Sequence, residues 1–185
     1  MVNAKGIGSP LVPQYTLFSQ EIPMFSLDLL ARASEVVAAY DKATRRISVA
    51  ESCTGGLVCA ALTSVPGASR VLDRGFITYS NEAKRESLGV DRLALEQFGA
   101  VSPQVAAQMA QGTLAFSQAE TALSVTGIAG PEGGSVQKPV GLVCFALATR
   151  EGVALNYTCH FSGDRAQIRL AAVAEGLKLL LSVCS

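Results

Sequence analysis

The sequence predicts an α/β domain, a three-layer α/β/α sandwich around a mixed central sheet, and three observations carry that prediction. Short apolar, β-branched runs alternate along the chain with segments of helical patterning. The first such run, ISVAES at 47–52, meets a tight turn at Cys53-Thr54-Gly55-Gly56 and passes into the apolar LVCAALTSV, the opening of a strand–turn–helix unit. Late in the chain, GLVCFALAT and VALNYTCHF stand close enough to pair as a hairpin across Arg150-Glu151-Gly152, which adds antiparallel strands and makes the sheet mixed.

The elements follow in order. Residues 1–25 carry Pro10, Pro13 and Pro23 and no continuous apolar stretch, so they are expected to form a flexible tail and not a signal peptide; the domain is expected over 26–185. A helix begins at Ser26, its cap, with Leu27, Leu30, Ala31, Ser34, Val37 and Ala38 at helical spacing. LVCAALTSV is apolar nearly all round and predicts a helix covered on both sides. GFITYS, 75–80, reads as the second strand. Ser102-Pro103 supplies a cap and a first-turn proline for a helix whose buried face is Val105, Ala106, Met109, Ala110 and Thr113. TALSVTG is a buried strand running into the glycine-rich GIAGPEGGSVQKP, and Asp164 caps a last helix that extends to Leu181.

Bulk properties exclude several functions. A chain of 185 residues, 49% apolar, holds one domain large enough to bury a core without metal or disulfides. Fifteen basic residues balance fifteen acidic ones, so no global field draws in nucleic acid, and an anionic ligand must be met locally. Five cysteines, an odd number with no Cys-x-x-Cys pair, fit free thiols in a reducing compartment better than a disulfide framework or a zinc site. No apolar run is long enough to span a bilayer. The expected setting is cytoplasmic, with no metal, no cofactor, no membrane and no nucleic acid, and with assembly as a homodimer or higher homo-oligomer.

Ser52 stands where a strand ends and a helix begins. This places a hydroxyl at the sheet rim beside the free N–H groups of a first helical turn, donors suited to a phosphate or a developing oxyanion. Ser52 or Thr54 can equally be a plain helix cap. Cys53 is a rival nucleophile, since a thiol at a helix N-terminus is acidified. A serine nucleophile needs a base. The only histidine, His160, falls by period two on the more polar face of its strand, which places it at the surface. Lys84 is the alternative, with Tyr79 to relay or orient the proton; it must then titrate well below its reference value of about 10.4. The bland reading is a solvated lysine beside Glu82 and Glu86. In VTGIAGPEGGSVQKP, Thr126, Gly127 and Gly130 permit close backbone approach to a ligand at a strand C-terminus, but the loop does not fit a P-loop. Arg165 offers a guanidinium that can clamp a phosphate, or pair with Glu175.

Six segments, AESCTGG, GFITYSNEAKRESLGV, GAVSPQVAAQMAQG, VTGIAGPEGG, KPVGLV and FSGDR, occur in the order and spacing of the CinA C-terminal domain family, which the chain resembles from about Leu27 to Leu181. The resemblance implies a nicotinamide-nucleotide amidase, converting nicotinamide mononucleotide and water to nicotinate mononucleotide and ammonia. The family's catalytic serine, tyrosine and lysine fall on Ser52, Tyr79 and Lys84. Thr54, Gly55, Thr126, Gly127, Gly130 and Arg165 are then the expected substrate contacts. The alternative is a catalytically silent nucleotide-binding module serving competence or damage responses. Longer members of the family carry an N-terminal pyrophosphatase-type domain, which is not expected here.

Overall fold

The computed structural model describes residues 24–184; the expected N-terminal tail lies almost wholly outside them. Among these residues the order is α1 (Leu27–Lys42), β1 (Ile47–Glu51), α2 (Leu57–Thr63), a 3-10 turn (Ala68–Arg70), β2 (Leu72–Ile77), α3 (Asn81–Leu88), α4 (Arg92–Phe98), α5 (Pro103–Ala115), β3 (Thr121–Gly127), β4 (Leu142–Thr149), β5 (Gly152–His160) and α6 (Arg165–Ser182). The sheet order is β2-β1-β3-β4-β5. β1 runs parallel to both β2 and β3, whereas β4 is antiparallel to β3 and β5 to β4. The mixed three-layer sandwich expected from the sequence is the observed fold.

The layers follow from strand alternation. Leu123 and Val125 of β3 point to one face, where they join Val36, Tyr40, Val58, Leu62, Ile168 and Leu177 of α1, α2 and α6. Ala122 points to the other, where Ala146 and Ala148 of β4 meet Ala106 and Ala110 of α5. These small residues let α5 lie close to the sheet, close enough for the Ser124 hydroxyl to reach the Ala106 carbonyl at 2.6 Å. Gly112 repeats this on the far side of α5: a Cβ there would lie 1.9 Å from the Leu88 carbonyl oxygen, so only glycine lets the end of α3 rest against α5.

Local signals account for most element ends. Ser26, Ser80, Asp91 and Ser102 cap α1, α3, α4 and α5 through their side-chain oxygens, and Asp164 with Gln167 forms a capping box on α6. Three expectations need correction. The buried stripe of α1 is Leu29, Ala33, Val36, Val37 and Tyr40, and Leu27 is 83% exposed. The helix carries two apolar stripes, and packing on α6, where the Tyr40 hydroxyl donates to the Leu180 carbonyl, selects one of them. The second strand spans Leu72–Ile77, not 75–80, because Ser80 is already the cap of α3. The helices α3 and α4 were not foreseen; they are only eight and seven residues long, and α3 is built from the polar NEAKRES.

Candidate active site

Parallel strands β1 and β3 end side by side, and the segments that leave them diverge, opening a crevice at their carboxyl ends. Ser52 lies there, one residue beyond β1. Its amide donates to Val125 O at 2.9 Å, so the backbone is held in register up to the serine itself. The turn behind it is clasped twice. Glu51, fully buried, accepts from the amides of Gly56 (2.9 Å), Val58 (3.1 Å) and Cys59 (2.9 Å), satisfying the free donors at the start of α2. Arg169 of α6 donates to the carbonyls of Cys53 (3.2 Å) and Thr54 (2.8 Å).

Lys84 reaches the same point from the opposite layer. Ser80 stops the strand side and starts α3, which turns the fourth helical residue inward. The Lys84 side chain is 1% exposed. Its Nζ lies 3.0 Å from Ser52 Oγ and donates to the Thr78 carbonyl at 2.8 Å. Burial strips water from the ammonium and lowers its pKa from 10.5 to about 8, outweighing a smaller opposing effect from Cys53. A neutral amine in this position keeps its bond to Thr78 and offers its lone pair to the serine hydroxyl. The solvated lysine considered from the sequence is therefore replaced by a buried one, because α3 packs this face against the sheet edge.

The pocket, about 210 Å³, is lined by Ser52, Cys53, Tyr79, Lys84, Ala100, Val101, Thr126, Gly127, Ala129 and Arg165. Tyr79 is 61% exposed; its phenol accepts from Arg165 Nη2 at 2.9 Å and makes no hydrogen bond to Lys84 or Ser52. Arg165 also donates to the Gly130 carbonyl at 2.9 Å, while Glu175 pairs instead with Lys178. Thr126 turns its hydroxyl to the Ala100 carbonyl, 2.9 Å away. Thr54, Gly55 and Gly130 stand outside the lining: Thr54 is buried, the Gly55 amide donates to Ser52 O, and Gly130 contributes its carbonyl to Arg165. Cys53 is 6% exposed, and burial drives its thiol up to about 12, so the rival nucleophile is a neutral thiol near pH 7. His160 is exposed on the edge strand β5, paired with Leu142 and away from the pocket lining.

A family model, the CinA C-terminal domain, matches residues 30–184. The chain belongs to this family. A nicotinamide-nucleotide amidohydrolase of Enterobacter agglomerans is 52% identical over 73% of this chain and 82% of its own length. That of Escherichia coli K12 is 44% identical over 85% of this chain and 95% of its own. A competence-damage inducible protein of Caldicellulosiruptor saccharolyticus is 57% identical, but this chain spans only 33% of it, so the longer relatives contain much that has no counterpart here. In three dimensions the chain resembles the crystal structure of a competence/damage inducible protein from Agrobacterium tumefaciens, with a TM-score of 0.85, 46% identity, and coverage of 87% and 98% of the two chains.

Within this CinA-family site, sequence reading missed Glu51, Arg169 and Lys138. Glu51 had a signal: it is the one charged residue in a run of buried positions, next to the candidate nucleophile. Arg169 stands four residues after Arg165, on the same helical face. Lys138 opens the KPVGLV motif, but the motif does not say what it binds, which is backbone distant in sequence.

Proposed function

We propose that this chain is a nicotinamide-nucleotide amidohydrolase, converting nicotinamide mononucleotide and water to nicotinate mononucleotide and ammonia. The observation that carries the reading is the Ser52–Lys84 pair: a hydroxyl and a buried amine 3.0 Å apart, the amine titrating near neutrality, at the rim of a parallel sheet. The names of the relatives that this chain nearly spans supply the substrate.

In this reading Lys84 takes the proton of Ser52 as Oγ attacks the carboxamide carbon. The ammonium formed stays bound to Thr78 O and returns the proton to the departing nitrogen, which leaves as ammonia. Water then attacks the acyl-enzyme ester with Lys84 again as base, restoring the serine and releasing the carboxylate. The oxyanion is held by N–H groups beside Ser52; since Gly55 is engaged, those of Cys53 and Thr54 are the candidates in the turn, with Thr126-Gly127 across the pocket. The positive pyridinium ring makes the carbonyl more electrophilic. Arg165 serves the phosphate, and Tyr79 acts by holding Arg165 and lining the pocket, not as a proton relay.

Five unpaired cysteines suit a reducing, cytoplasmic setting, and no helix of the described residues is long and apolar enough to cross a membrane. Assembly as a homo-oligomer belongs to the same reading and is tested by sedimentation. The decisive experiment is ammonia release by purified protein given nicotinamide mononucleotide. Release that Ser52→Ala abolishes supports the amidase; no release at any concentration supports the silent binding module.

A further inference from the structure

The segment between β3 and β4 ends in Lys138-Pro139-Val140-Gly141, part of a motif that the proposed chemistry does not use. Lys138 is half-buried, and its ammonium donates to the carbonyls of Phe98 and, at 2.7 Å, Val101. Those carbonyls bracket the connection between α4 and α5, residues 99–102, which forms neither helix nor strand yet supplies Ala100 and Val101 to the pocket wall. The two carbonyls between them are also taken by side chains. Gly99 O accepts from Ser102 Oγ at 2.9 Å and Ala100 O from Thr126 Oγ1 at 2.9 Å. Four successive carbonyls are thus satisfied by side chains, and Lys138 alone serves two of them.

Two further features belong to this arrangement. Gly99 adopts φ +70°, and a Cβ there would come within 3.1 Å of Lys138 Nζ, so the ammonium occupies space that glycine leaves free. Val101 also faces a second hollow, of about 400 Å³, which Lys138 borders as well. The residue that the lysine holds is therefore the partition between that hollow and the pocket of Ser52.

We propose that Lys138 is a positioning residue for substrate selection: by clasping the 98–101 backbone it fixes the Ala100–Val101 wall, and with it the size of amide that can lie against Ser52. A loose wall opens the pocket toward the neighbouring hollow, which weakens binding of the fitting substrate and admits larger amides. Catalysis at Ser52 and Lys84 is untouched, because Lys138 contacts neither. The proposal rests on the amidase reading for its substrate, but the clasp itself has a readout that needs no turnover.

The test compares Lys138→Met, Lys138→Arg and Gly99→Ala with the unmodified protein. For nicotinamide mononucleotide, Lys138→Met should raise KM about tenfold or more, since two charge-assisted hydrogen bonds are lost, with a smaller change in kcat. The ionisation seen in the pH profile of kcat should stay where it is, since Lys84 keeps its surroundings. Lys138→Arg, which retains donors for both carbonyls, should recover part of the loss; Gly99→Ala, which crowds the same ammonium, should raise KM in the same sense. Amide hydrogen exchange of residues 99–102 should quicken in Lys138→Met while α3 stays protected. Unchanged KM in Lys138→Met and Gly99→Ala, or unchanged exchange in 99–102, overturns the proposal; so does a shifted ionisation. Should Lys138→Met fail to fold, Gly99→Ala carries the kinetic test alone. If the unmodified protein releases no ammonia, the amidase reading falls and the exchange result by itself decides the clasp.

Discussion

Replacing Lys84 by methionine separates the energetic cost of a buried base from its use. Lys84 shifts from 10.5 to about 8 on folding, chiefly through burial, so charging it in the folded protein is unfavourable by about 3 kcal/mol relative to the unfolded chain. Below pH 8 both states hold the proton and the folded protein bears that cost in full. Between about pH 8 and 10.5 the folded state has released the proton while the unfolded chain still binds it, so stability rises with pH across this window. Methionine, of similar length, has no such titration. It leaves the Thr78 carbonyl without its donor, an offset of about 1–3 kcal/mol that does not depend on pH. The stability of Lys84→Met relative to the unmodified protein should therefore be flat below pH 8 and then fall by about 3 kcal/mol toward pH 10.5. Urea unfolding of both proteins in parallel, at half-unit steps from pH 7 to 10, reads this directly, because every other titrating group cancels in the difference. A difference curve that is level across that range would show that Lys84 folds without a depressed pKa, and the argument for it as a base would fail with it.

Four further outcomes follow from the site. The ratio kcat/KM should rise with pH through one ionisation near pH 8, and Lys84→Arg, which cannot surrender its proton, should be as inactive as Lys84→Ala; near-normal turnover by the arginine variant refutes the general base. Ser52→Ala should abolish ammonia release while Cys53→Ala keeps most of it, as expected of a thiol pushed up to about 12; the reverse pattern in a paired assay contradicts the serine mechanism. Glu51→Gln should lower stability by about 1–3 kcal/mol, since an NH2 group then faces a backbone N–H of α2, and thermal unfolding that matches the unmodified protein would mean the carboxylate clasp is unimportant. Nicotinamide riboside should show kcat/KM about 100-fold or more below the mononucleotide, because the charge-assisted contacts to phosphate are lost; equal rates would remove Arg165 from phosphate capture.

Much of this protein was legible in the chain itself, because the signals were local. Period and punctuation placed β1, α5, β3, the β4–β5 hairpin and α6, and the caps at Ser26, Ser102 and Asp164 are one-residue chemistry that needs no partner. The ordered motifs marked Ser52, Tyr79 and Lys84 and led to the CinA family, which the match over 30–184 then established. Tertiary structure decided what depends on residues far apart. Which stripe of α1 is buried depends on α6, since both stripes are apolar. Whether Lys84 is solvated or buried depends on α3 lying against α5 and the sheet, and with that burial comes its lowered pKa. Tyr79 and Arg165, 86 residues apart, meet each other and not Ser52 or Lys84, a pairing that spacing along the chain cannot encode. Glu51, Arg169 and Lys138 act on backbone groups, which every residue possesses, so even where a pattern marks the residue, as the lone charge in β1 marks Glu51, the sequence does not say what it binds; only the folded chain shows which amides and carbonyls need a partner.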